Sequence, residues 1–173
     1  MPRIQVISIT NERHFKNCLS YPTDIKKCKS RMYGMTNAFC EYGHSPYQTV
    51  LRSINEVCEF HGISDIGRKA FHVIVTFSDL ERRYITKELV LHTGYFLAMN
   101  EFPNNVCLFA VHDHSGKLHL DLLIFTVDIY TGRIYSCSKS GWYKILNDLI
   151  LFLEGRIPKE IVTRNMPVIF GQT

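Results

Sequence analysis

The sequence predicts an α+β domain, a central antiparallel β-sheet backed by helices. Three observations predict it. The stretch from Val106 to Val127 reads VCLFAVHDHSGKLHLDLLIFTV, two apolar, β-branched and aromatic runs flanking Ser115-Gly116, which is the pattern of a hairpin with a tight turn. Two further runs, RIQVISI at 3–9 and AFHVIVTFS at 70–78, carry the period-2 alternation of strands. Around them lie segments with apolar residues at helical spacing. The order is strand, short helix, helix, strand, helix, two strands, short strand, helix, and no repeat or low-complexity tract divides it.

The first strand, 3–9, delivers the chain to HFKNCLSYPTDIKKCKSRMYG, a short helical segment. Tyr21 precedes Pro22, which biases it away from the helical region and marks a turn or a new helix. Lys26, Lys27, Lys29 and Arg31 follow. Such a run is most simply a solvated helix face. With Tyr33 and Tyr42 nearby it also fits a groove that follows phosphates and stacks bases. Residues 36–45 read as irregular, and Ser45 is placed to cap a helix from Pro46 to about His61, with Val50, Ile54, Val57 and Cys58 inward and Gly62 at its end. A connector at 63–69 leads into the strand at 70–78, where spacing does not decide whether His72 is a core histidine or points into a site. After a charged turn at 79–84, Thr86 caps a helix to about Asn100, with Leu89, Val90, Thr93, Phe96 and Leu97 on its inner face. Pro103 and Asn104-Asn105 end it. Beyond the hairpin, DIYTGRIY reverses the chain into a short strand, and Ser140 is placed to cap a last helix ending at Gly155. The remainder, RIPKEIVTRNMPVIFGQT, reads as a linker, an edge strand or the start of a further region.

Length and composition bound the function. The 173 residues, 46% hydrophobic, suffice for one well-buried core and would be cramped as two domains. A net charge of +4 permits a polyanionic partner without demanding one. The six cysteines, at 18, 28, 40, 58, 107 and 137, form no CxxC pair, and Cys58 and Cys107 fall in apolar segments, so they read as reduced thiols in a reducing compartment. Nothing resembles a signal peptide or a membrane span, so a soluble cytoplasmic protein without membrane insertion is expected. A glycine-rich phosphate loop and a GxSxG elbow are both absent, against ordinary nucleotide-triphosphatase or serine-hydrolase chemistry.

The hairpin carries the candidate chemistry. With Ser115 and Gly116 as its loop, His114 faces Lys117, Asp113 faces Leu118, and His112 faces His119. Facing residues share one side of a sheet with Cβ atoms ~5 Å apart, close enough for two imidazoles to bind one ion. Asp121 follows His119 by two and falls on the same side. A single histidine near a turn is most often a hydrogen-bonded surface residue. Here three polar side chains end a strand whose faces are both largely apolar, and burying them unpaired is unfavourable. A divalent ion and a closed polar network are the two ways to satisfy them. Two histidines and one carboxylate, with positions left open, suit a catalytic rather than a structural metal.

These residues resemble plasmid and conjugative-element relaxases, mobilisation nucleases of the HUH endonuclease superfamily. The resemblance runs to about Gly155. In AVHDHSGKLHLDLLIF, His112 and His119 match the first two family histidines and Asp121 occupies the third position; YPTDIKK is similar to the catalytic-tyrosine motif, with Tyr21 as the tyrosine and Lys27 as the lysine; FHVIVTFS, the next helix and TGRIY follow in family order. The resemblance implies a nuclease domain at 1–155 and a C-terminal extension or linker at 156–173. It implies a metal-dependent, site- and strand-specific nickase in a bacterial cytoplasm, acting on single-stranded DNA at an origin of transfer beside accessory relaxosome and coupling proteins. Tyr21 would form a 5′-phosphotyrosyl intermediate. His112, His119 and Asp121 would hold the metal, Lys26, Lys27, Lys29 and Arg31 would meet DNA phosphates, and His114 stands where an acidic residue often tunes the site. Asp121 in place of a third histidine favours a hard cation, Mn2+ or Mg2+. Two alternatives compete. A rolling-circle initiator or transposase of the same superfamily would use a tyrosine after the hairpin, here Tyr143. A noncatalytic single-stranded nucleic-acid-binding module would have lost the chemistry through Asp121.

Overall fold

Alternation in the first apolar run produces β1 (Arg3–Ile9), whose buried Ile4 and Val6 point to one side of a sheet and Ile9 to the other. The computed structural model describes residues 3–21, 32–39, 44–114, 117–158 and 168–172. After β1 come α1 (Glu12–Ser20), β2 (Tyr33–Thr36), α2 (Pro46–Phe60), β3 (Ala70–Thr76), a 3-10 turn at Glu81–Arg83, α3 (Lys87–Glu101), β4 (Asn105–His114), β5 (Lys117–Asp128), α4 (Lys139–Glu154) and β6 (Val168–Gln172).

The strands form one sheet in the order β2-β4-β5-β3-β1-β6. Every pairing is antiparallel except β1 with β6, which is parallel and makes the sheet mixed. The architecture is α+β as expected, with the antiparallel part at its centre. Period-2 alternation sends Leu118, Leu120, Leu122 and Ile124 to one face, where α3 and α4 cover them, and Leu123 and Phe125 to the other, where α1 and α2 pack. Both faces of β5 are therefore dry along most of its length. Burying one such leucine contributes roughly 1.5–3 kcal/mol, which fixes the register of the central strands, because a slip by one residue would exchange the faces.

The caps show where local sequence sufficed. Ser45 and Gln48 make a reciprocal capping box at the start of α2, Thr86 accepts from Leu89 N at α3, and Gly62 takes φ +65 just beyond α2. Three local expectations differ, and one left open is decided. The α4 cap is Ser138, whose hydroxyl accepts from Gly141 N, while Ser140 lies in the first turn and bonds Ser138 Oγ. Starting the helix two residues earlier satisfies an end N–H that Ser140 would leave open. The short strand after the DIYTGRIY turn is only an isolated bridge, Val127 with Ile134, because Asp128 holds the turn through Tyr130 N and Thr131 N. The strand β2 was not expected. It contains Gly34 and only four residues, and pairing with β4 rather than its own propensity extends it. Residues 168–172 at the chain's end join the sheet as an edge strand against β1.

No described helix is long and apolar enough to cross a membrane. Cys18, Cys58, Cys107 and Cys137 are free thiols, and Cys28 and Cys40 lie outside the described residues.

Candidate active site

The hairpin pairs His112 with His119, Asp113 with Leu118 and His114 with Lys117, the register that a two-residue loop at Ser115-Gly116 requires. Those loop residues lie outside the described set. On the face shared with α1, the imidazoles of His112 and His119 stack with centroids 5.3 Å apart. His112 is 1% exposed and Asp121 5%, so both belong to the interior. Asp121 Oδ2 lies 3.2 Å from His112 Nε2.

The other oxygen of Asp121 faces β3. His72 Nε2 lies 3.3 Å from Oδ1, and on its far side His72 Nδ1 lies 3.8 Å from Cys18 Sγ. Burial opposes the charge on His72, but the Asp121 carboxylate and the Cys18 thiol outweigh it and raise the imidazole to about 9. Burial likewise opposes ionisation of Asp121, and His72 first, then His112 and His119, bring its carboxyl below the usual range. Each partner thus favours the charged form of the other.

Tyr21 completes this corner. It caps α1 in helical conformation, φ −60 and ψ −47, with its N–H bonded to Asn17 O. The restraint from Pro22 favours extended backbone, yet the helical hydrogen bond holds Tyr21 in the last turn, where its ring meets His112 at a centroid distance of 4.9 Å. Asn17, Cys18, Tyr21, His72 and Asp121 line a cavity of about 170 Å³. A larger groove of about 700 Å³, lined by Phe39, Phe60 and Tyr130 among others, lies by the start of β4 and the end of β5, away from the histidines. Convergent ionisable groups, not size, distinguish the smaller one.

Among the described residues, no group of three or more His, Cys, Asp or Glu side chains is arranged to hold a metal ion. The donor chemistry nevertheless suits one. An ion ~2.1 Å from each of two adjacent donors holds them ~3 Å apart, near the observed separation of His112 and Asp121. The carbonyl of Lys117 only accepts, so His119 Nδ1, 3.1 Å away, is the donor and the lone pair of a neutral ring falls on Nε2. Two imidazoles and a carboxylate of this kind fit a divalent ion.

A family model for the nuclease domain of MobA/VirD2-like relaxases matches residues 26–154. The chain belongs to this relaxase family. The match covers most of the sequence and all three hairpin residues, and begins C-terminal to Tyr21. Neither a curated protein nor a solved structure matches the chain. The relaxase domain is a DNA-nicking endonuclease domain of the HUH superfamily, a family that generally uses divalent metals and binds single-stranded DNA at an origin.

Of the residues singled out in the relaxase sequence, the structure brings Tyr21, His112, His119 and Asp121 together. His114 ends β4 opposite Lys117 and is placed by its backbone alone. Lys26, Lys27, Lys29, Arg31 and Tyr42 lie outside the described residues. Tyr143 sits half-exposed on α4, whose buried residues pack the opposite face of the sheet from Asp121. Sequence reasoning left His72 undecided and passed over Cys18. Only the pairing of β3 with β5, which puts His72 opposite Leu123 and Ile74 opposite Asp121, places that imidazole on the site's face. On the other face Arg82 and Lys87 both pair with Asp113, at 3.1 and 3.0 Å, and Lys87 above all holds its carboxyl below the usual range.

Proposed function

We propose that this relaxase domain nicks and transfers DNA strands through a covalent tyrosine, and that it initiates movement of a plasmid or other mobile element. The observation that carries this reading is the packing of the Tyr21 ring on His112 beside the buried Asp121 carboxylate. In the step, Tyr21 Oη forms a bond to the scissile phosphorus while the bond from phosphorus to the 3′ oxygen breaks. The phenolic proton is balanced by the proton gained at the 3′-hydroxyl. The products are a 5′-phosphotyrosyl link and a free 3′-hydroxyl, so bond energy is conserved and religation needs no nucleotide.

His112, His119 and Asp121 would hold a divalent ion, Mn2+ or Mg2+, whose chemistry when bound is stabilisation of charge on the nonbridging phosphate oxygens. Tyr21 is brought to the reacting phosphate by its place at the end of α1, and the sheet beneath it supplies rigidity. Lys26, Lys27, Lys29 and Arg31 would neutralise the flanking backbone phosphates, and His114 would tune the hairpin tip. In this reading the nuclease domain spans 1–155 and the segment 156–173 is an extension whose end joins the sheet. The substrate is single-stranded DNA at an origin of transfer in a bacterial cytoplasm, with accessory relaxosome and coupling proteins as partners.

The test is a denaturing gel of the protein with labelled single-stranded origin-region DNA and Mn2+. Label migrating with the wild-type chain and absent from Tyr21→Phe and His119→Ala supports the reading. Binding without any adduct, across divalent ions and candidate DNAs, would instead assign a noncatalytic single-stranded nucleic-acid-binding module.

A further inference from the structure

Asp121 has two oxygens and two imidazole neighbours, one on each side. His112 Nε2 approaches Oδ2 at 3.2 Å from β4, and His72 Nε2 approaches Oδ1 at 3.3 Å from β3. The His72 ring is held from behind by Cys18 Sγ at 3.8 Å, and Cys18 stands on α1 one helical turn before Tyr21. The chain of contacts therefore runs from the tyrosine-bearing helix through Cys18 and His72 to the carboxylate, then on to the hairpin imidazoles. A carboxylate on a strand otherwise has torsional freedom about its last bond. The His72 contact at Oδ1 removes it and leaves Oδ2 toward His112.

We propose that His72 is a positioning residue, which occupies Oδ1 of Asp121 so that the carboxylate presents Oδ2 alone on the His112 side and stays in register with the helix that ends at Tyr21. Through this contact the carboxylate acts as a one-oxygen ligand. The inference rests on the reading of Asp121 as a ligand of a divalent ion. Groups that hold a ligand in orientation typically change metal affinity by 10–100-fold when removed.

Two amide substitutions separate orientation from bulk polarity. The amide nitrogen of His72→Gln can stand near the position of Nε2 and keep a donor to Asp121. That of His72→Asn reaches only the position of Nδ1, on the Cys18 side. Both replacements are uncharged and polar, so the loss of the imidazole ring and the burial of an amide are common to them. The quantity to read is the Mn2+ dissociation constant of the full chain without DNA, from the spin-resonance signal of free Mn2+, with circular dichroism to establish folding. His72→Asn is expected to bind Mn2+ about ten-fold or more weakly than His72→Gln. Equal affinities of the two, with Asp121→Ala weaker than wild type, would overturn the positioning role and leave the metal site standing. Equal binding by wild type and Asp121→Ala would overturn both. The unaltered chain offers a check that needs no folded variant. With 15N-labelled histidine, the His72 Nε2–H resonance is expected to persist when Mg2+ is added, and its disappearance would overturn the proposal.

Discussion

The ring of Tyr21 rests on the imidazole of His112, centroids 4.9 Å apart and planes tilted by 40°. This contact links the end of a helix to the innermost residue of the hairpin site. Removing only the hydroxyl, as in Tyr21→Phe, keeps the ring contact. The variant should unfold within about 1 kcal/mol of wild type, bind single-stranded DNA at near wild-type affinity, and form no covalent adduct. Tyr143→Phe, on the far side of the sheet, should leave the adduct yield unchanged. The reverse pattern on a denaturing gel would transfer the nucleophile to α4.

An ion bound to the folded site alone stabilises the fold by mass action. At a free Mn2+ concentration a hundred times its dissociation constant the gain is about 2.7 kcal/mol. Calorimetry should show the melting temperature of the wild type rising with Mn2+ and falling back on chelation. His119→Ala, altering a half-buried residue at the hairpin tip, should lose most of that rise while keeping its metal-free stability within about 1 kcal/mol. A full metal-induced shift in His119→Ala would remove that imidazole from the site.

Gly94 on α3 meets Phe109 of β4 so closely that an added Cβ would lie 2.4 Å from the ring's Cδ2. Phe109 is fully buried, with Gly34 close to its Cε2 and Cζ and Tyr95 packed edge-on against it, centroids 4.7 Å apart. It has nowhere to retreat. Gly94→Ala gains ~1 kcal/mol in helix propensity, whereas overpacking costs typically 1–3 kcal/mol. Overpacking wins because the ring is trapped, and urea unfolding should show a net loss of roughly 1–2 kcal/mol.

Asp128 fastens the turn after β5. Its Oδ1 accepts from Tyr130 N and Thr131 N at 2.9 and 2.8 Å, and Oδ2 from Asn104 Nδ2 at 3.0 Å. Burial opposes its charge, but these donors outweigh it and bring the carboxyl below its ordinary value. A carboxyl with a lowered folded value adds stability above its unfolded pKa, ~3.9, and loses it as pH falls through the folded value. Asp128→Ala should therefore cost about 1–2 kcal/mol at pH 7, and the gap to wild type should narrow below about pH 4. A gap constant down to pH 3 would show that the charge on Asp128 contributes nothing.

Much of this fold was legible from short-range chemistry. The strands at 3–9 and 70–76, the capped helices α2 and α3, and the pairing of His112 with His119 depend on neighbours a few residues away, through alternation, caps and a two-residue loop. These signals are carried by the chain itself. What the sequence could not decide were the relations between distant segments. The strand β2 exists because β4 offers it a partner, β6 because β1 does, and neither has a strong pattern of its own. Even a local choice differed, since α4 is capped by Ser138 and not by the expected Ser140. At the candidate site the sequence by itself determined the hairpin trio, because a turn fixes which residues face each other. Only the tertiary structure decided that His72 and Cys18 join it and that Tyr21 lies on His112, because β3 meets β5 and α1 meets the sheet across dozens of residues. No local spacing encodes those contacts; the burial of two apolar faces does.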